Sequence, residues 1–202
     1  MEKSKKAQSN IAITISTVIS RVLDPFLVLA GVTGWMIWES TLSDQSKYVF
    51  LGIMLGVMIL PPVLLLVWAI SKKRIDNWDI TDRKQRPLAL IVVFLLGIIN
   101  IIIVRTFGDR MLTDLFIMYE LWMAGFLAIT FIWKISGHTG TLALATGLIV
   151  LRVGIGWWPI LLPVAILGVA RVVRKNHTPA QAICGAFYSW GILFVARSMG
   201  LV

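Results

Sequence analysis

Three short polar clusters interrupt an otherwise apolar chain, and they hold residue types that bind a phosphate and attack it. They are DITDRKQRP at 79–87, ISGHTG at 135–140 and ARVVRKNHTPAQ at 170–181. Both histidines of the chain, His138 and His177, fall in these clusters, with Arg86 and Arg171 at junctions of long apolar runs. A neutral imidazole is a competent nucleophile near neutral pH, and a protonated one can give its proton to a departing oxygen. Guanidinium groups clamp phosphate oxygens bidentately, and a hydroxyl or backbone N–H at a helix N-terminus adds neutral donors. Two histidines without clustered cysteines or carboxylates make a poor zinc or di-metal site, so the expectation is chemistry with no metal and no cofactor.

The elements that must carry these clusters are set by composition. The 202 residues are 58% hydrophobic and 14% charged, with a mean hydropathy of +0.86. That is far from a soluble domain, and several apolar runs approach the ~20 residues that span a bilayer. The runs are continuously apolar and do not alternate, which argues against a β-barrel. The expectation is an all-α chain, one polytopic transmembrane helical bundle of six to seven spans forming a single domain over 1–202. Candidate spans are 17 to 38, 48 to 70, 87 to 104, 113 to 133, 139 to 151, 153 to 170 and 179 to 196. The fifth has 13 residues and would rise only about 20 Å, short of a ~30 Å hydrocarbon core. It is divided from the sixth because Arg152, Gly154, Gly156, Trp157, Trp158 and Pro159 interrupt the run. Pro61-Pro62 should kink the second span and Pro25 should bend or start the first. Residues 7 to 16 are either a surface helix or a continuation of span one. The N-terminal lysines precede no convincing cleavage site, so the first stretch is kept as structure.

Two spans separate the first cluster from the second and two more separate the second from the third, so all three emerge on one membrane face. That face carries Lys3, Lys5, Lys6, Arg21, Lys72, Lys73, Arg74, Arg83, Lys84, Arg86, Lys134, Arg171, Arg174 and Lys175. The other carries Lys47, Arg105, Arg110, Arg152 and Arg197. Discounting Arg83, Arg86 and Arg171 as phosphate ligands leaves the excess in place, and the positive-inside rule then makes the cluster face cytoplasmic. The net charge of +9 is accounted for by topology and anionic lipid headgroups, not by nucleic acid.

At these residues the chain resembles the type 2 phosphatidic acid phosphatase superfamily, the membrane phosphatases related to vanadium haloperoxidases. The family pattern is Lys-x6-Arg-Pro, then Pro-Ser-Gly-His, then Ser-Arg-x5-His-x3-Asp. Arg86-Pro87 matches the end of the first motif, Ser136-Gly137-His138 the second, and Arg171 with His177 the core of the third. The resemblance covers about residues 79–190. It implies a metal-independent phosphatase acting on lipid phosphates or polyprenyl diphosphates through a phosphohistidine on His177, with His138 as acid and base. Arg86, Arg171, Ser136 and the Gly137 N–H would hold the phosphate. An integral protein of the plasma membrane with a cytoplasmic active site follows, with membrane lipids as its surroundings and its oligomeric state open.

Three departures stand out. Asp79 occupies the place of the family's lysine, a loss that Arg83 or Lys84 could repair. Ile135 and Ala170 replace a proline and a serine, and Gln181 replaces the acid after the third motif. A glutamine carbonyl can accept the same imidazole N–H without supplying charge, for which a loss of about 10–100-fold is the usual scale. Asp79 or Asp82 could fold over to supply that charge. Competing functions are a lipid phosphotransferase, which passes the phosphoryl group to another acceptor, and a catalytically degraded relative that binds phospholipid or partners. A transporter is a weaker alternative, since no internal repeat or paired broken spans are present.

Outside the motifs, Arg174 and Lys175 read as positive-inside anchors, and the Asn176-His177-Thr178 sequon as chance. Glu120, a third of the way into the fourth span, is expected to make a structural hydrogen bond or ion pair far from the cluster face. Cys184 reads as a buried small hydrophobe. Trp78 is a candidate for docking on lipid headgroups. The cation distribution predicts that cysteines introduced at Lys84 and Lys175 label only with access to the cytoplasm, and one at Asp44 from outside. External labelling at position 84 would reverse the orientation.

Overall fold

The computed structural model describes residues 2–80 and 82–202, with side chains from residue 10 onward. Lys3, Lys5 and Lys6 of the cation count, and Thr81 of the first cluster, therefore lie outside the residues whose side chains are described. Every regular element among the described residues is helical. In chain order they are α1 (Glu2–Val22), α2 (Pro25–Glu39), α3 (Asp44–Ile53), α4 (Leu60–Ser71), α5 (Arg86–Phe107), α6 (Arg110–Ile132), α7 (Gly137–Val153), α8 (Leu162–Val173) and α9 (Pro179–Ser198). A π-helical stretch, Met54–Ile59, joins α3 to α4, and 3-10 turns occupy Arg83–Gln85 and Ile155–Leu161.

Six stretches are long and apolar enough to cross a membrane: Asn10–Glu39, Asp44–Ser71, Arg83–Phe107, Arg110–Ile132, Ile155–Val173 and Pro179–Ser198. The expected fifth span is longer than its 13 residues suggested, because α7 begins at the Ser136 cap and runs 17 residues to Val153, about 25 Å. Large apolar side chains point outward on many helices, with Ile132 83%, Phe194 76% and Leu88 70% exposed.

Local chemistry explains most of the breaks. Asp24 accepts the Phe26 N–H at 3.0 Å and Pro25 follows it, a cap and first-turn proline that start α2. Residues 7 to 16 belong to α1, which runs without interruption to Val22. Neither Pro61 nor Pro62 can donate to the preceding turn, and the chain widens to π geometry just before them, the Leu60 N–H reaching back to Leu55. α7 ends at Gly154, whose φ of 105° and ψ of 161° lie in a region open only to glycine.

The chain forms two compact units, 1–29 with 135–191, and 30–134 with 192–202. In the first, Leu142 and Ala143 of α7, Val164 and Leu167 of α8 and Ala186 of α9 make the buried core, and Ile19, Leu23, Val28 and Trp190 pack on it. α7 is buried on all sides from His138 to Leu148, as expected for a helix with no polar face. In the second, α5 and α6 form a hairpin closed by Asp109. One oxygen of its carboxylate accepts the Leu112 N–H at 2.9 Å, and the other accepts the Thr41 N–H at 2.9 Å.

Two expectations need correction. Cys184 is exposed on α9, because the α9 face that packs inward carries Ala182, Ala186 and Ser189. Trp78 is half-buried and packs against Leu66, Ala69 and Ile75, and its role toward headgroups stays an expectation. Glu120 makes no ion pair among the described residues, and its Oε1 has no hydrogen-bond partner there. Its carboxylate fills the space left by the missing side chain of Gly97 on α5.

Gly154→Ala should destabilise the protein by about 1–3 kcal/mol through backbone strain alone, read as a lower melting temperature in detergent. Gly156→Ala has open space around its Cβ and no positive φ, and should leave that temperature unchanged. Equal melting temperatures for both variants would show that α7 does not need the glycine conformation to end.

Candidate active site

The third polar cluster folds as a helix end followed at once by a helix start. After α8, Arg174 is the cap residue and Lys175 turns into the left-handed region at φ 58°. The Lys175 N–H bonds the Val172 carbonyl at 2.8 Å, and the Asn176 N–H bonds the Arg171 carbonyl at 3.1 Å. This is a Schellman closure, with Arg171 three residues before the cap. The His177 N–H reaches the same Arg171 carbonyl at 3.3 Å. Six residues apart in sequence, Arg171 and His177 are thus joined by a backbone hydrogen bond, and both are buried.

Thr178 then starts α9 as a capping box. Its hydroxyl accepts the Gln181 N–H at 3.3 Å, and the Gln181 side-chain oxygen accepts the Thr178 N–H at 3.1 Å. The same Gln181 Oε1 lies 3.3 Å from His177 Nδ1. A carbonyl oxygen only accepts, so this contact puts a proton on Nδ1, and in the neutral ring the lone pair is then on Nε2. Asp82, considered as a source of charge for His177, is occupied as the cap of the Arg83–Gln85 turn and accepts the Lys84 N–H at 3.0 Å.

The second cluster supplies the other imidazole. Ser136 caps α7, its hydroxyl oxygen accepting the Thr139 N–H at 3.3 Å, so Gly137 and His138 occupy the first turn with their N–H groups at the positive end of the helix. Arg171 Nη1 lies 3.5 Å from His138 Nε2. Guanidinium can only donate, so this nitrogen of His138 is the acceptor while the contact holds. Arg171 is fully buried. A guanidinium in such surroundings is costly to keep there, and it interacts more strongly with an anion than it would in water.

Two long-range bonds clamp the α7 start to α9. The Ser136 N–H donates to the Gln181 carbonyl at 3.1 Å, and the Thr139 hydroxyl donates to the Ala182 carbonyl at 2.9 Å. Gly185 makes the approach possible: a Cβ there would lie 2.6 Å from the Ser136 carbonyl oxygen and 2.9 Å from Thr139 Oγ1. Ser136, Gly137, His138, Arg171, His177 and Gln181 therefore belong to one connected, largely buried group in the first unit.

Arg83 and Arg86 belong to the second unit, and each donates to a backbone carbonyl there. Arg86 is buried and its Nε donates to the Ile80 carbonyl at 2.8 Å. Ile80 itself sits at φ 43°, an unusual conformation for a β-branched residue. Arg83 Nη1 donates to the Phe131 carbonyl at 2.8 Å, satisfying an oxygen in the last turn of α6.

Comparison of the chain with protein-family models, with curated proteins and with solved structures gives no match. What the group can do therefore follows from its own chemistry: one imidazole oriented by a carbonyl, a second imidazole with a guanidinium beside it, and a helix N-terminus in the same cluster.

Thr178, Thr139 and Gly185 escaped the sequence reading. Thr178 was legible, since Thr-Pro-Ala-Gln before an apolar run is a capping-box signature. Thr139 and Gly185 had no local signal. In Gly185→Ala the Ser136 carbonyl must move. The expected cost is about 1–3 kcal/mol, seen as a lower melting temperature and faster hydrogen exchange at the α7 N-terminus. Gly191→Ala, with open space at its Cβ, should change neither, and an unperturbed Gly185→Ala would mean that the clamp has slack.

Proposed function

We propose that this chain is an integral membrane phosphatase of the type 2 phosphatidic acid phosphatase kind. It hydrolyses lipid phosphates or polyprenyl diphosphates by way of a phosphohistidine, without a metal. The observation that carries this is the Arg171–His177 turn. It sets a buried guanidinium beside His138 and orients the neighbouring His177 with Nδ1 on a carbonyl, so that in the neutral ring the lone pair is on Nε2. Six stretches long and apolar enough to cross a bilayer, with large apolar side chains facing outward, support a membrane bundle. The excess of cations on the cluster side supports a cytoplasmic active site in the plasma membrane.

In this mechanism a phosphate ester draws the Arg171 donors onto its oxygens, which frees His138 Nε2 to take up a proton from solvent. His177 Nε2 attacks phosphorus, an N–P bond forms and the bond to the leaving oxygen breaks, that oxygen taking the proton from His138. The charge that gathers on the equatorial oxygens meets Arg171 and the first-turn N–H groups of α7. Water then gives a proton to His138 and attacks the phosphohistidine. The N–P electron pair returns to Nε2, and inorganic phosphate leaves. Gln181 stabilises the imidazolium-like intermediate less than a carboxylate would, because its carbonyl supplies a dipole and no charge.

Purified protein should release phosphate from lipid phosphates in the presence of EDTA, be inhibited by vanadate, and lose turnover in His177→Ala. His138→Ala should impair a lipid alkoxide leaving group more than the polyprenyl phosphate expelled from a diphosphate, which needs the proton less. Gln181→Glu keeps the reach needed for both the Thr178 N–H and His177 Nδ1 and adds charge, so activity should hold or rise, by up to about 10–100-fold. No turnover in wild type or in Gln181→Glu, across phosphatidic acid, phosphatidylglycerol phosphate and polyprenyl diphosphates, would leave a phospholipid-binding relative as the better account.

A further inference from the structure

In the second unit, α4 ends in a Schellman closure that gathers Lys72, Lys73 and Arg74. The Lys73 N–H donates to the Ile70 carbonyl at 2.9 Å and the Arg74 N–H to the Ala69 carbonyl at 2.9 Å, with Lys73 in the left-handed region at φ 55°. This turn brings the Arg74 guanidinium back over the helix, 4.9 Å from the centre of the Trp68 ring. All three cations are exposed, and none forms an ion pair among the described residues. Nor are they spent on the helix end, because the carbonyls of Trp68, Ala69 and Ile70 already accept the N–H groups of residues 72 to 75.

Two acids of the following loop are engaged within the loop. Asp76 Oδ2 accepts the Gln85 side-chain N–H at 3.0 Å while the Asp76 N–H donates to Gln85 Oε1 at 3.1 Å, and Asp82 caps the Arg83–Gln85 turn. Ile75, Trp78 and Ile80 pack with Leu66 and Ala69, so the loop lies back along the end of α4. The outward face of α4 that leads to the cations is apolar: Leu60, Leu64, Val67 and Trp68 are exposed at helical spacing, a strip about 12 Å long. In a bilayer that strip faces acyl chains, Trp68 stands at the depth where amphipathic rings concentrate, and the cations stand where headgroups begin. A soluble anion would use the cations and leave the strip idle, whereas a phospholipid with a negative headgroup uses both.

We propose that the end of α4 is a binding site for an anionic phospholipid of the surrounding bilayer, with acyl chains along Leu60, Leu64 and Val67 and the phosphate held by Arg74, Lys72 and Lys73. The guanidinium, steadied on Trp68, offers directed donors, and the two ammonium groups act as point charges beside it. The site rests on the membrane reading and not on the phosphatase chemistry. It shares no residue with the group around His138, Arg171 and His177, so the lipid held there is a bound companion and not a substrate.

The experiment titrates the detergent-purified full chain with dioleoyl phosphatidylglycerol, a phosphodiester with no monoester to hydrolyse, and reads the Kd of the first bound lipid by native mass spectrometry. Wild type should bind it at least about tenfold more tightly than dioleoyl phosphatidylcholine, which carries no net charge. Lys72→Ala/Lys73→Ala/Arg74→Ala should weaken phosphatidylglycerol about 100-fold, the summed effect of three cations at an anionic headgroup. Lys47→Ala/Arg105→Ala/Arg197→Ala removes the same charge elsewhere and should change that Kd less than about threefold, since the attraction fades within a Debye length. Trp68→Leu keeps charge and apolarity but loses the stacked ring, and should weaken binding about two- to fivefold. Inorganic phosphate and polyglutamate should not displace the lipid. Equal affinity for the two lipids, or equal losses in the two triple variants, would overturn the site. An unchanged Kd in Trp68→Leu would overturn the role of the stacked Arg74. Displacement by inorganic phosphate would make the patch a site for soluble anions, and displacement by polyglutamate a docking surface for acidic protein; either result overturns the lipid site. Phosphate release is not measured in any arm, so these results and the phosphatase reading stand or fall separately.

Discussion

One carbonyl oxygen, that of Arg171, organises the candidate site. By accepting the N–H groups of both Asn176 and His177 it ends α8, reverses the chain through Lys175 and delivers His177 to the place where α9 begins. Capping and chemistry share the same few atoms there. Gln181 Oε1 satisfies an orphan donor of the α9 N-terminus and at the same time sets the tautomer of His177. A polar group in surroundings this apolar must find its partner inside the protein, and sharing one acceptor between a cap and an imidazole meets both needs with a single side chain.

The same economy governs how α7 meets α9. Ser136 and Thr139 turn their polar groups on the Gln181 and Ala182 carbonyls, and Gly185 removes the side chain that would hold the two helices apart. In a chain whose outer surface is itself apolar, hydrophobic burial discriminates little between one helix pairing and another, so small residues and interhelical hydrogen bonds carry more of the specificity. The core of this unit accordingly pairs Leu142 and Leu167 with Ala143 and Ala186.

Glu120 is an instructive failure of sequence reasoning. A carboxyl group in an apolar helix suggested a partner for it, yet what it meets is the vacancy beside Gly97. Nothing within four residues on either side of either position signals that pairing, because it is a property of the α5–α6 hairpin and of where the two helices cross. The packing of the Trp78 ring on the apolar cluster at Leu66 was likewise not signalled by the polar loop around it.

Features generated within one or two helical turns were legible in the sequence by itself. Continuous apolar runs demanded helices, Ser136 before Gly137-His138 marked a helix start, Gly154 and Pro25 marked breaks, and the Arg171-x5-His177 spacing held because a single helix closure spans it. The glutamine in place of an acid could likewise be read as a neutral acceptor. Tertiary structure alone decided what lies between partners 33 to 49 residues apart: the contact of Arg171 with His138, the Thr139–Ala182 bond and the need for Gly185. Local hydrogen bonds depend on spacing, which a sequence states directly. Contacts between helices depend on crossing geometry and on the summed shape of many side chains, which no single stretch of sequence contains.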